Sequence, residues 1–247
     1  MRILFANPNT TAAITDRIAA VARGSASAGT EIVAVTATSG VPYIATRAEA
    51  VIGGRAALEL LAEHSPGCDV AVIAAFADPG LGGARELLPI PVIGMAEAAM
   101  LTACMLGRRF SIVTFATALG PWYRECVAVH GLESRLASVR CVGGGVRDIT
   151  TVQVEKQDLL IEACRLAVEQ DEADVVILGG APLAGLAGTI ADRVPVPLVD
   201  GVAAATRQAE VLGALRPRKA TAGSYRTPDP KPIAGVPPGL AALFTRR

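Results

Sequence analysis

Asp69-Val-Ala-Val-Ile-Ala-Ala-Phe-Ala-Asp-Pro-Gly-Leu81 and Asp174-Val-Val-Ile-Leu-Gly-Gly-Ala-Pro-Leu-Ala-Gly-Leu186 align without a gap. Each is an apolar, largely β-branched run behind an Asp that ends in a turn rich in Gly and Pro. That is the pattern of a buried parallel strand running into a helix. After one inserted residue, Pro91-Val-Ile-Gly falls on Pro197-Leu-Val-Asp, and Ala-rich segments follow, ending at Leu106-Gly107 and Leu212-Gly213. The length of this match points to an internal duplication rather than to the general likeness of βα units. In this register Ala75 falls on Gly180.

Working outward, strand-like runs at 2–6, 31–36, 70–75, 92–94, 111–114, 138–142, 175–179 and 198–199 alternate with helical patterns at 11–21, 47–64, 120–130, 156–169 and 201–213. Such alternation predicts an α/β fold with parallel sheets. The duplication predicts two similar halves, 1–107 and 108–216, related by a pseudo-twofold axis, with a cleft between them. Residues 217–247 hold six of the 16 prolines and read as an extended tail packed on the body or a neighbour. Ligands bind beyond the carboxyl ends of parallel strands. The cleft is therefore expected to be lined by Asn7 to Thr11, Ala75 to Gly80, Thr114 to Thr117 and Gly179 to Pro182.

Hydrophobic residues make up 51% of the chain and charged residues 19%, which excludes a disordered protein. No apolar run reaches the roughly 18 residues of a spanning helix; the longest, Pro91 to Met105, carries Glu97. The 23 Lys and Arg balance 23 Asp and Glu, and aromatics are only 4%. Neither a nucleic-acid surface nor a membrane surface is expected as a partner. The start, Met1 to Asn7, runs straight into a strand pattern with no signal-peptide features, which predicts a cytoplasmic protein. Cys68, Cys104, Cys126, Cys141 and Cys164 are odd in number and widely spaced, and His64 and His130 stand apart from any ligand cluster. Small buried thiols are expected, not a disulfide framework or a zinc site.

Asn7 and Asn9 sit in a turn after the first strand; they either cap the next helix or present amides to the cleft. Asp78 stands before Pro79, and capping the helix that starts there explains the Asp-Pro order better than a general-base role. The backbone N–H groups of Phe76, Ala77 and Asp78 form a nest suited to an anion or enolate oxygen. Thr114 and Thr117 offer hydroxyls near a third strand end, or caps. Gly143 to Gly145 lack the spacing of a dinucleotide fingerprint and read as a tight loop.

Several motifs together resemble the aspartate/glutamate/hydantoin racemase superfamily, closest to its hydantoin and allantoin racemases. They are Asn7-Pro-Asn-Thr-Thr, Tyr43-Ile-Ala-Thr-Arg-Ala-Glu, Asp78-Pro-Gly-Leu, Arg85-Glu-Leu, Pro91-Val-Ile-Gly-Met-Ala-Glu, Gly107-Arg-Arg-Phe-Ser-Ile-Val-Thr, Ile177-Leu-Gly-Gly-Ala and Gly223-Ser-Tyr-Arg-Thr-Pro-Asp. The resemblance covers essentially the whole chain. It implies two α/β domains around a cleft, no cofactor and no metal. It also implies racemisation by two cysteines on opposite faces of the substrate carbon, one taking a proton and the other giving one. In this sequence the two family cysteine positions are Ala75 and Gly180, so both thiols are absent. Pro182 also lacks an N–H, removing one donor from the second nest, although a proline suits a helix start as well.

The expected function is action at the carbon α to a carbonyl of a small cyclic imide, ureide or carboxylate, with the two-thiol route lost or replaced. The alternatives are a lyase, decarboxylase or tautomerase that uses the oxyanion nest, or a non-catalytic small-molecule binder or inactivated variant. Ala75 and Gly180 mark the reacting positions, with Asp78 a further catalytic candidate. Asn7, Asn9, Tyr43, Phe76, Ala77, Thr114, Thr117 and Ala181 are the expected substrate contacts. A homo-oligomer is expected.

Overall fold

The computed structural model describes residues 1–245. The first half runs β1 (Arg2–Asn7), α1 (Ala12–Ser25), β2 (Glu31–Thr36), α2 (Arg47–His64), β3 (Val70–Ile73), α3 (Leu81–Leu87), β4 (Val92–Gly94) and α4 (Met95–Leu106). The second runs β5 (Phe110–Thr114), α5 (Leu119–Val129), β6 (Leu136–Cys141), α6 (Val152–Glu169), β7 (Val175–Leu178), α7 (Leu186–Ile190), β8 (Leu198–Asp200) and α8 (Gly201–Leu215). The sheets have strand orders β2-β1-β3-β4 and β6-β5-β7-β8, all parallel, so the second repeats the topology of the first. The central strands β3 and β7 are buried at every residue, as their unbroken apolar runs require when helices cover both faces.

Local signals set several boundaries. Thr46 and Glu49 form a capping box at the start of α2. Asp200 caps α8 by accepting from Val202 N and Ala203 N. Helix α6 begins at Val152, four residues ahead of its sequence-based start at Lys156. Lys156 is itself buried, and its Nζ donates to the carbonyls of Phe115 (2.8 Å), Gly143 (3.1 Å) and Gly144 (3.0 Å). It thereby ties the triple-glycine loop to the end of β5.

The chain crosses from one sheet to the other between Gly94 and Phe110, yet the helix layers do not divide there. Helix α4 packs on β7 and β8 as well as on its own β4, and α8 packs on α1, β3 and β4. One apolar core therefore runs from Phe5 and Ile14 through Met95 and Ala99 to Ile112 and Val176. A smaller cluster lies on the far face of the first sheet, under α2 and α3.

The tail is not extended throughout. A helix, α9 (Pro238–Thr245), buries Leu240 and Leu243 in that smaller cluster against α2. Prolines at 237 and 238 sit at its start, where a missing N–H costs nothing. The proline count had masked this short amphipathic segment. Among the described residues no helix is long and apolar enough to cross a membrane.

Candidate functional site

The carboxyl ends of β3 and β7 open onto one small cavity of about 30 Å³ between the halves. Asn9, Tyr43, Ala75 and Phe76 line it from the first half, and Phe115, Tyr123, Gly180, Ala181 and Pro182 from the second. Ala75 and Gly180 thus share one cavity, and each of the four expected segments contributes to it. Its present volume suits about one water, so a ring-sized ligand must displace aromatic side chains.

Those aromatics form a plug. The Phe76 and Tyr123 ring centroids lie 4.7 Å apart. Gly180 has φ +123°, and a Cβ there would meet Phe115 Cε1 at 2.7 Å. The Thr114 hydroxyl donates to Gly179 O (2.8 Å), so its oxygen accepts from the Tyr123 hydroxyl. Burial drives the Tyr123 hydroxyl far above its ordinary value of 10, against the Thr114 bond, which lowers it. Tyr123 is therefore a proton-bearing donor, not a base. The second-half loop is anchored from the first half, because Arg17 donates to Pro182 O (2.6 Å) and Thr150 O (2.7 Å).

Asp78 does not cap the helix after Pro79. Helix α3 begins at Leu81 behind a left-handed Gly80 with no side-chain cap. The Asp78 carboxylate reaches instead to the first turn of α4, accepting from Ala96 N (2.8 Å) and Glu97 N (2.8 Å). Local Asp-Pro chemistry suggested the wrong helix because the cap is made across 18 residues of sequence. This tie holds Ala77 and Asp78 at φ +77° and +52°, a strain that persists only where surrounding contacts over-determine it. The nest is also smaller than expected, since Asp78 N donates to Ala75 O (3.1 Å).

The Asp/Glu/hydantoin racemase family matches residues 3–209. A hydantoin racemase of Pseudomonas sp. (strain NS671) is 32% identical over 96% of this chain and 95% of its own length. That of Paenarthrobacter aurescens is 34% identical over 94% and 99%. The solved allantoin racemase of Klebsiella pneumoniae superposes with TM-score 0.91 at 36% identity, covering 97% of this chain and 98% of its own. The chain belongs to the Asp/Glu/hydantoin racemase family.

In this racemase-family chain the remaining expected site residues separate into groups. Asn7 is fully buried and structural, donating to Asn9 Oδ1 (3.2 Å) and Thr15 Oγ1 (2.9 Å). Thr114 positions Tyr123 and does not line the cavity. Thr117 is exposed outside it, because it sits in the turn that starts α5. Ala77 and Asp78 face a second cavity of about 610 Å³, together with Arg85, Glu97, Cys126, His130 and Tyr225.

That second cavity overturns the isolation of His130 inferred from sequence. His130 Nε2 lies 3.3 Å from Asp78 Oδ2, and Nδ1 lies 3.6 Å from Glu97 Oε1. Glu97 is in turn paired with Arg85. The Asp78 hydrogen bond raises the His130 pKa above its ordinary 6.5, outweighing burial. Burial pushes the Cys126 thiol up, and the Asp78 and Glu97 carboxylates push it further. Sequence reasoning also missed Tyr123, and it placed Phe115 in the cleft only as part of the segment Thr114 to Thr117, not as a residue of the site. The available signal was spacing on α5, since Trp122, Tyr123 and Cys126 occupy its buried positions and His130 follows Cys126 by four residues.

Proposed function

We propose that this chain is a cofactor-independent enzyme that acts at the carbon α to a carbonyl of a small cyclic ureide or imide of the hydantoin or allantoin kind, by a route other than two opposed thiols. The carrying observation is that Ala75 and Gly180, one from each half, line a single cavity at the ends of β3 and β7. The names of its relatives supply the substrate class.

Racemisation needs the proton removed on one face and returned on the other. Neither Ala75 nor Gly180 carries a proton acceptor, and Tyr123 keeps its proton, so water or hydroxide admitted with the substrate takes the α-proton on one face, and a water on the opposite face returns a proton to the same carbon. The protein's contribution is to accept the enolate charge. The Asn9 amide supplies one donor, and the Tyr123 hydroxyl supplies another once its proton turns from Thr114 Oγ1 to the ligand, in a cavity walled by aromatic rings where such bonds are strongest. Asn9 Oδ1 is occupied by Asn7 Nδ2 and Thr11 N, which leaves its Nδ2 as the donating end.

The lack of a proton acceptor in the cavity favours a second reading, a binding protein for the same ligands. One experiment separates the two. Single enantiomers of allantoin and of a 5-substituted hydantoin are incubated with the protein in D₂O and followed by NMR and optical rotation. Exchange of the α-proton faster than in a buffer blank, abolished by Tyr123→Phe, supports the enzyme. Ligand-dependent line broadening without exchange supports the binder. The absence of both rejects the ureide assignment.

A further inference from the structure

We propose that Asp78, Cys126 and His130 form a three-ligand site for a divalent metal ion of the zinc class, with its fourth position open to the 610 Å³ cavity. The site is distinct from the Ala75–Gly180 cavity although α5 serves both: Trp122, Cys126 and His130 border the larger cavity and Tyr123 the smaller. It goes beyond the proposed ureide chemistry and does not depend on it.

The ligand set is chemically coherent. Thiolate, imidazole and carboxylate together suit zinc and its cobalt substitute, not magnesium or calcium, which prefer oxygen alone. One ligand atom from each side chain lies within 4.8 Å of the other two. The edge of a zinc tetrahedron between nitrogen and oxygen ligands is about 3.3 Å, given metal bonds near 2.0 Å. The His130 Nε2 to Asp78 Oδ2 separation is 3.3 Å. That is long for a charge-assisted hydrogen bond, which prefers about 2.8 Å. The sulfur needs a shift of at most the order of 1 Å to complete the third corner.

Surrounding groups already orient the ligands. Cys126 and His130 are four residues apart at the end of α5, on one helix face. The Ala96 and Glu97 amides fix the Asp78 carboxylate, each at 2.8 Å, while a carboxylate has further lone pairs to give a metal. The other His130 nitrogen faces the Glu97 carboxylate, and Glu97 is held by Arg85. A carboxylate behind a ligating histidine fixes its tautomer and raises its basicity. Asp78, Cys126 and His130 all border the large cavity, so a fourth ligand has access.

The test uses the full chain, stripped by dialysis against a chelator and titrated with Co²⁺. One equivalent is expected to bind, with a sulfur-to-cobalt charge-transfer band in the near ultraviolet and the intense visible absorption of tetrahedral cobalt. Added Zn²⁺ displaces both. Cys126→Ser removes the charge-transfer band, and Cys164→Ser leaves it intact. Glu97→Gln weakens binding by about 10–100-fold while keeping the spectrum. No binding, or a band that survives Cys126→Ser, overturns the proposal. Should Cys126→Ser fail to fold, His130→Asn takes its place: lost tetrahedral absorption supports the site, and an unchanged spectrum overturns it.

Discussion

The Phe115 ring occupies the space that a side chain at Gly180 would need. A Cβ on Gly180 would approach Phe115 Cε1 to 2.7 Å and the Tyr123 hydroxyl to 3.5 Å. The backbone adds a second barrier, because Gly180 sits at φ +123°, a region that L side chains rarely enter. Gly180→Ala is therefore expected to cost about 2–4 kcal/mol, from backbone strain and overpacking together. Phe115→Ala introduced with it should recover the packing part only. Urea unfolding of the four proteins in this cycle measures both terms, and equal losses with and without Phe115 would show that only the backbone matters.

The two halves anchor the first turn of their last helix with a carboxylate from different positions. In the second half it comes from Asp200, which accepts from Val202 N, Ala203 N and Gly185 N. In the first half the equivalent of Asp200 is Gly94, and the carboxylate arrives from Asp78. A Cβ at Gly94 would lie 2.3 Å from the Asp78 carboxyl carbon. Asp78→Ala leaves two amides of α4 without their partner and should cost about 2–4 kcal/mol. Asp78→Ala combined with Gly94→Asp transplants the second-half arrangement and should restore a large part of that loss. Thermal unfolding of the single and double variants decides it; a double variant no more stable than Asp78→Ala would mean the two anchors are not interchangeable.

The duplication explains how much of this was legible in the sequence. Strands β2 and β4 and helix α2 fall on their sequence-based limits, because hydrophobic period and capping residues are local signals. Pairing Ala75 with Gly180 required only the repeat register, and the structure brings both to one cavity. What escaped was decided mainly by side-chain contacts between segments distant in the sequence. Asp78 binds a helix 18 residues away, and His130 meets Asp78 across 52 residues. Phe115 reads as an ordinary apolar residue until its ring is placed against Gly180. Helix α9 was hidden because proline marks both an extended tail and a helix start.

Glu210 gives the fold an acid-sensitive tie. It lies on α8 and accepts from Thr30 Oγ1 (2.7 Å), Ser27 N (2.7 Å) and Ser27 Oγ (3.0 Å), in the loop between α1 and β2. Burial alone would raise its pKa, but these bonds and Arg207 outweigh burial and bring it from 4.5 down to about 2. A folded pKa below the unfolded value means that this contribution is fully present above 4.5 and is lost as pH falls toward 2. Glu210→Gln should therefore be less stable than the parent at neutral pH, with the difference shrinking through that acid window. Urea midpoints measured across the window check the sign; a gap that stays constant with pH would remove Glu210 as the source.

Thiol reagents should leave exchange activity largely intact, since none of the five cysteines lines the Ala75–Gly180 cavity. Cys68, Cys126 and Cys164 are buried, and burial raises all three thiols, Cys164 to about 12, which suppresses the reactive thiolate. Iodoacetamide with peptide mapping and a parallel D₂O exchange assay tests this. Rapid inactivation that substrate prevents, tied to one modified cysteine, would place that thiol in the reaction.

Returning thiols to the two paired positions tests whether the cavity still has racemase geometry. Ala75→Cys adds one sulfur at a buried cavity wall and should fold. Gly180→Cys meets Phe115 at once, so the double variant Ala75→Cys/Gly180→Cys is expected to be destabilised and nearly inactive. Adding Phe115→Ala removes the obstructing ring and enlarges a cavity that now holds about 30 Å³. The triple variant should then bind a 5-substituted hydantoin with a sulfur on each face of its α-carbon. One thiolate can take the proton while the opposite thiol supplies another. Racemisation is expected to rise at least tenfold over the Phe115→Ala background, and to need both cysteines. A folded triple variant that binds the hydantoin but exchanges no α-proton would show that the cavity has been rebuilt for other chemistry, and the binding reading would stand in place of the enzyme.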